Sequence, residues 1–221
     1  MAKFTGGIEV QGSSVLSGGV SDLGSGTITN THLSATAAID RSKLAQDNNA
    51  KFGIPFHDCR VWNAPHTLLG SAGSSDDLGI ANGSSGYGND WLRLITSEID
   101  GTSVTQYARF MFVLPHNYVD AQTIAVQALA GMTTATSGAT TLEIDCHTNV
   151  STGNVGTDLG PAAQSINSTT FATKTFTISE SGRAAGDYLD FRIKITGTDD
   201  GTGGTKYAAI EKLYVTCDVK G

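Results

Sequence analysis

The residues in this chain that could do chemistry are few, and most are His/Asp neighbours. His57 stands beside Asp58, His116 lies shortly before Asp120, and Asp145 is separated from His147 by one residue. On a regular strand Asp145 and His147 project from one face, the start of a metal site, but the local sequence offers no third ligand. His57 and Asp58 would project from opposite faces of a regular strand, which spoils them as a hydrolytic pair. His116 and Asp120 flank a turn at Pro115-His116-Asn117 and read as surface groups. Asp199-Asp200-Gly201-Thr202 carries oxygen ligands for calcium without the spacing of a calcium loop, so it reads as a turn. The glycine-rich run at 83–88 has no following Lys-Ser or Lys-Thr and no strand-to-helix setting, so it is not a phosphate cradle. Cys59, Cys146 and Cys217 have neither zinc nor redox spacing; they read as buried free thiols, with one disulfide plus a free cysteine as the other option. The expectation is a protein with no catalytic residue, no cofactor and no metal ligand set, and so not an enzyme.

A different kind of site is offered by aromatic residues. Trp62, Tyr87 and Trp91 flank a long excursion over residues 63–89, and rings so placed can stack on a sugar. In the competing reading Trp62 and Trp91 finish the core at strand ends and Tyr87 is an incidental loop residue. A loop of this length with no periodicity of its own is a candidate contact surface.

The elements that must hold these residues are strands. Only 16% of residues are charged and 7% aromatic, while glycine supplies 27, a profile of short strands joined by small polar turns. Leu189, Phe191, Ile193 and Ile195 alternate with Asp190, Arg192, Lys194 and Thr196, a half-buried strand. After a polar run, Leu213, Val215, Cys217 and Val219 repeat the pattern, and the two segments read as a hairpin with a long turn. Upstream, Ala108, Phe110, Phe112 and Leu114 share one face, opposite Tyr107, Arg109, Met111 and Val113. Ile124 to Met132 favours strand over a rival helix at 121–130, and Leu142, Ile144 and Cys146 point inward on another strand. Phe176 and Ile178 form an inward pair, residues 54–62 read as an irregular first strand, and Asp100-Gly101 as a tight reversal. About eight strands result, and two packed sheets bury such half-apolar strands. The predicted fold class is all-β: an antiparallel β-sandwich, jelly-roll-like, preceded by an extended N-terminal arm. An immunoglobulin-like wiring stays open, because periodicity does not record strand order.

The sequence divides into a glycine-rich arm with a short docking helix over residues 1–50, its last four residues a linker, and a sandwich domain over residues 51–221. The arm carries few apolar anchors, Ile8, Val10, Val15, Leu16, Ile28, Leu33, Ile39 and Leu44 among them, too sparse to close a core. Such a segment gains order by lying on a partner. A helix over 37–45, capped by Ser34 or Thr36, is too short to survive undocked. The net charge of -7 has no compensating basic block, so direct nucleic-acid binding is not expected. No cationic start precedes an apolar run, so neither signal peptide nor membrane span is expected, and synthesis in a cytoplasm follows.

The run Gly26-Thr27-Ile28-Thr29-Asn30-Thr31-His32-Leu33, continuing through Ala37-Ala38-Ile39-Asp40-Arg41-Ser42-Lys43-Leu44, resembles linker segments in structural proteins of tailed bacteriophages, of head-decoration and fibre type. In those proteins such segments precede β-rich domains that assemble as trimers. The resemblance implies a virion protein made in the host cytoplasm, assembled as a homotrimer on phage capsid or tail proteins, with attachment and reinforcement as its task. The alternative is a receptor- or carbohydrate-binding module of a phage fibre or tail, acting through Trp62, Tyr87 and Trp91.

Overall fold

A computed structural model describes residues 47–82, 92–101, 103–149, 155–178, 182–202 and 205–220. The arm anchors Ile8 to Leu44, the expected helix, Tyr87 and Trp91 lie outside the described residues.

Period-two alternation has produced the predicted architecture, two antiparallel sheets packed face to face. The first sheet runs β2 (Gly79–Asn82), β3 (Leu92–Ile95), β11 (Ala208–Lys220), β5 (Ile124–Met132), β9 (Ala172–Ile178), with β1 (Asp47–Gly53) on the C-terminal half of β11. The second runs β4 (Ser103–Val113), β10 (Tyr188–Thr198), β6 (Thr140–Asn149), β7 (Val155–Asp158), with β8 (Gln164–Ser165) on β6. From β3 to β6, and again from β9 to β11, each successive strand changes sheet, as in a jelly roll. The segment 124–132 is strand and not the rival helix: its register against both β11 and β9 satisfies backbone groups on both edges.

The inward residues read from the alternation form the core. Leu189, Phe191, Ile193 and Ile195 of β10 and Leu142, Ile144 and Cys146 of β6 are sealed from solvent, facing Val126, Phe176, Val215 and Cys217 of the other sheet. Phe110 and Phe191 stack with ring centroids 4.8 Å apart. Each such side chain contributes about 1.5–3 kcal/mol relative to exposure. The reversal at Asp100-Gly101 is present too. Gly101 and Gly201 both take positive φ, 62° and 79°, a conformation that side chains rarely adopt, and their turns touch so that a Cβ on Gly201 would stand 3.2 Å from Gly101 Cα.

The C-terminal segments do not form a hairpin. Among the described residues β10 pairs with β4 and β6, whereas β11 pairs with β1, β3 and β5, so the chain passes from one sheet to the other between Thr198 and Ala208. Both strands are apolar on one side, and alternation says which side is buried without saying which strand is the neighbour. The crossing is fastened by the nearly buried Lys206, whose Nζ lies 2.6 Å from Asp199 Oδ2. Asp199 also accepts from the backbone N–H groups of Ser137 and Gly201 at 3.0 Å each. The Lys206 bond first, then these N–H donors, hold the Asp199 carboxyl well below the usual carboxylate range.

The start of the body also differs from expectation. Residues 47–50, read as linker and assigned to the arm, form the first half of β1 and pair with Cys217 to Lys220. Residues 54–62 are not a strand: after Pro55 the chain makes a short 3-10 turn over Phe56–Asp58 and buries only Phe56 and Cys59. Pro55 is itself extended, with φ -64° and ψ 134°, but it has no N–H to give a ladder, and its carbonyl instead accepts from Asp58 N at 2.9 Å to close the turn.

Candidate functional site

The outer face of the second sheet gathers the polar and aromatic groups. Strand β10 lies between β4 and β6, so its outward residues each acquire two neighbours. Lys194 sits between Tyr107 and Glu143, Arg192 between Arg109 and Asp145, and Asp190 between Met111 and His147. Ion pairs tie the strands together across this face. Lys194 Nζ lies 2.7 Å from Glu143 Oε2, Arg109 grips Asp190 through two nitrogens, and Arg192 bonds Asp145. Asp145 is only 1% exposed, and burial pushes its carboxyl above the usual range although the Arg192 bond pulls the other way. Lys194 is raised, chiefly by its bond to Glu143.

Trp62 is brought onto this face by the excursion after β1. Arg60 and Arg109 exchange backbone bonds of 2.8 and 2.9 Å, which lays the excursion along the open edge of β4. Leu78 N donates to Tyr107 O and Tyr107 N to Asp76 O, both at 2.8 Å, covering the same edge further along. The indole then comes to rest 6.4 Å from the Tyr107 ring, tilted by 35°. The Arg192 guanidinium is 4.7 Å from the indole centroid and 5.5 Å from the Tyr107 centroid, and Arg109 is 5.9 Å from the indole. Both rings are half-buried. Of the two sequence readings for Trp62, core plug or stacking surface, the structure places it on the outer face.

The same face continues toward the other end of the strands. Met111 and Tyr188 are 56% and 54% exposed, and Tyr188 is the register partner of the exposed Val113. From Tyr107 to Val113 the strand advances about 20 Å at its usual rise. The result is a long strip with aromatic residues at both ends and charged side chains between.

The other candidates disperse. His57 and Asp58 are exposed in the 3-10 turn. Asp120 accepts a bond from Ala185 N at 3.2 Å and so braces a turn. Asp145 is committed to Arg192, and among the described residues no group of three His, Cys, Asp or Glu could hold a metal ion. Asp200 accepts from Thr202 N and Thr202 Oγ1 at 3.0 and 2.6 Å, closing the acidic cluster on itself as a turn. The cysteines are free and buried; burial pushes the Cys59 and Cys146 thiols up to about 12 and Cys217 to about 11, which removes them as nucleophiles.

Sequence reasoning named Trp62 but not Tyr107, Arg109, Asp190 or Arg192. The alternation had placed Tyr107 and Arg109 on one outward face and Asp190 and Arg192 on another. The missing fact was that β4 and β10 are neighbours.

No protein-family model and no curated protein matches this chain. Solved structures do. The xylan-binding module CBM15 is 15% identical with a TM-score of 0.44, over 79% of this chain and all of its own. The xylan-binding domain of Xyn10C from Paenibacillus barcinonensis is 12% identical with a TM-score of 0.42, over 79% of this chain and 97% of its own. A cyclase from Fischerella sp. TAU is 12% identical with a TM-score of 0.41, over 78% of this chain and all of its own. An enzyme stands here beside sugar-binding modules, and at such scores nothing about this chain's chemistry follows from them.

Proposed function

We propose that this protein is a carbohydrate-binding β-sandwich that holds a neutral glycan along the outer face of its second sheet. The observation that carries this reading is the meeting of Trp62 and Tyr107 over the Arg192 guanidinium. A sugar ring has an apolar C–H face and a rim of hydroxyls. Half-exposed aromatic rings suit the first, and a fixed fork of N–H donors or a carboxylate suits the second. The ion pairs hold those polar groups in place before the ligand arrives, which lowers the ordering cost of binding. Trp62 and Tyr107 are the stacking residues, with Arg109, Asp190, Arg192 and Glu143 as hydroxyl partners and Tyr188 as a remote platform. A glycan array probed with the full chain is the test: the reading requires retention on neutral oligosaccharides, and a blank array contradicts it.

The resemblance of residues 26–44 to phage linkers supplies a setting for this activity, a trimeric fibre or decoration protein that reaches a surface glycan. Several copies on one particle would turn weak single contacts into firm attachment. Sedimentation of the full chain tests the trimer, and a monomer at all concentrations would remove that setting while leaving the glycan face intact.

A further inference from the structure

A polar hollow opens where the edges of the two sheets meet, away from the Trp62 face. Gln164 of β8 donates through Nε2 to Thr175 O of β9 at 2.7 Å, clasping the second sheet to the edge strand of the first. Beside this clasp Ala172 of β9 pairs with Ala130 of β5, and two such short side chains leave a space of about 380 Å3. Its rim is the segment 165–170, fastened from both sheets. Ile166 is buried and its N–H donates to Thr140 O at 2.9 Å, while Met132 N donates to Ser168 O at 2.8 Å. The Asn167 amide donates to Thr136 O and Gly138 O at 3.1 and 2.7 Å.

The charge in this hollow comes from Lys174. It projects from the side of β9 that carries Phe176 and Ile178 into the core, and it borders the hollow half-buried. An ammonium partly withdrawn from water calls for an anion. Arg109, Arg192, Lys194 and Lys206 each have a carboxylate. Among the described residues Lys174 has no such partner, and no acid lines the hollow, although the whole chain carries a net charge of -7. Hydroxyls surround it instead, those of Ser165, Ser168 and Thr170. Ser168 Oγ accepts from Thr170 N at 3.1 Å, which leaves its own O–H to donate.

We infer that this hollow is an oxyanion site that takes the sulfate monoester of a sugar. The terminal oxygens of the ester accept from the Lys174 ammonium and the rim hydroxyls, and its carbon body lies against Ala130 and Ala172. One compact cation among neutral donors matches a singly charged tetrahedral group. A phosphate monoester carries about -1.5 to -2 charges at neutral pH and draws on arginine forks or converging N–H groups. A flat carboxylate would leave part of the hydroxyl rim without an acceptor. The site is separate from the Trp62 face and stands whether or not that face binds a glycan.

The test is calorimetric titration of the full chain with galactose 6-sulfate, with galactose 6-phosphate and galacturonate as comparators. It is repeated on Lys174→Met, Lys174→Arg, Ser168→Ala and Trp62→Ala, each checked by an unfolding curve. The sulfate ester should bind more tightly than either comparator, and its affinity should fall as salt rises. Lys174→Met should lose at least about tenfold, Lys174→Arg should keep most of the affinity, and Trp62→Ala should bind as the native chain does. Ser168 is exposed, so Ser168→Ala keeps the fold even if Lys174→Met loosens it, and it too should bind more weakly. Absence of sulfate-ester binding, tighter binding of the phosphate ester or the uronate, native affinity in Lys174→Met and Ser168→Ala, or loss through Trp62→Ala would each overturn the inference.

Discussion

Arg192 lies between Trp62 and Asp145, its guanidinium carbon 4.7 Å from the indole centroid while its nitrogens hold the buried carboxylate. One side chain therefore supports the stacking surface and neutralises a charge that has no access to water. Arg192→Ala is predicted to destabilise the fold by roughly 1–3 kcal/mol, since it strands a buried acceptor. Adding Asp145→Ala should recover part of that loss, because the uncompensated carboxylate goes with it. Urea unfolding of the single and double variants measures the coupling; strict additivity would mean the bond contributes nothing.

The Asp199–Lys206 contact predicts an acid response. Because the folded-state Asp199 carboxyl is depressed below its ordinary 3.8, its stabilising effect is complete above that value and disappears as pH falls through the depressed one. Asp145 acts in the opposite sense: raised by burial, it favours the folded state most when protonated, and that benefit declines as pH rises past 3.8. Asp199→Asn should therefore lower stability at neutral pH and flatten the acid limb of a stability profile. An unchanged limb would show that the crossing is held by other groups.

The thiols give a third prediction. With Cys59 and Cys146 pushed up to about 12 and Cys217 to about 11, the folded protein should resist a thiol reagent at neutral pH and react fully once denatured. Counting labelled thiols before and after adding guanidinium chloride checks it, and prompt labelling of the folded chain would contradict the burial described.

Much of the body was legible in the sequence because alternation is a direct record of burial. Leu189 to Ile195, Leu142 to Cys146 and the Phe176–Ile178 pair all face inward as their spacing requires. Pairing was not legible. The segments beginning at Tyr188 and Ala208 are next to each other in the chain and read as a hairpin, yet they sit in opposite sheets. Nor did Asp47-Asn48-Asn49 look like strand, since polar residues on an edge strand owe their conformation to backbone bonds with β11 and not to apolar burial. The candidate site suffered most from this. Its members come from an excursion and three strands, and the register of β4 against β10 brings Tyr107, Arg109 and Arg192 under Trp62, with Asp190 on Arg109.

The direct measurement is calorimetric titration of the full chain and its Trp62→Ala variant with the best neutral ligand from an array, alongside their unfolding curves. Trp62 packs on the outside of the sheet and not in the core, so its removal should weaken sugar binding by at least about tenfold while costing the fold little. Equal affinity in both proteins, with both folded, would mean that the second sheet's outer face is not where the glycan lies.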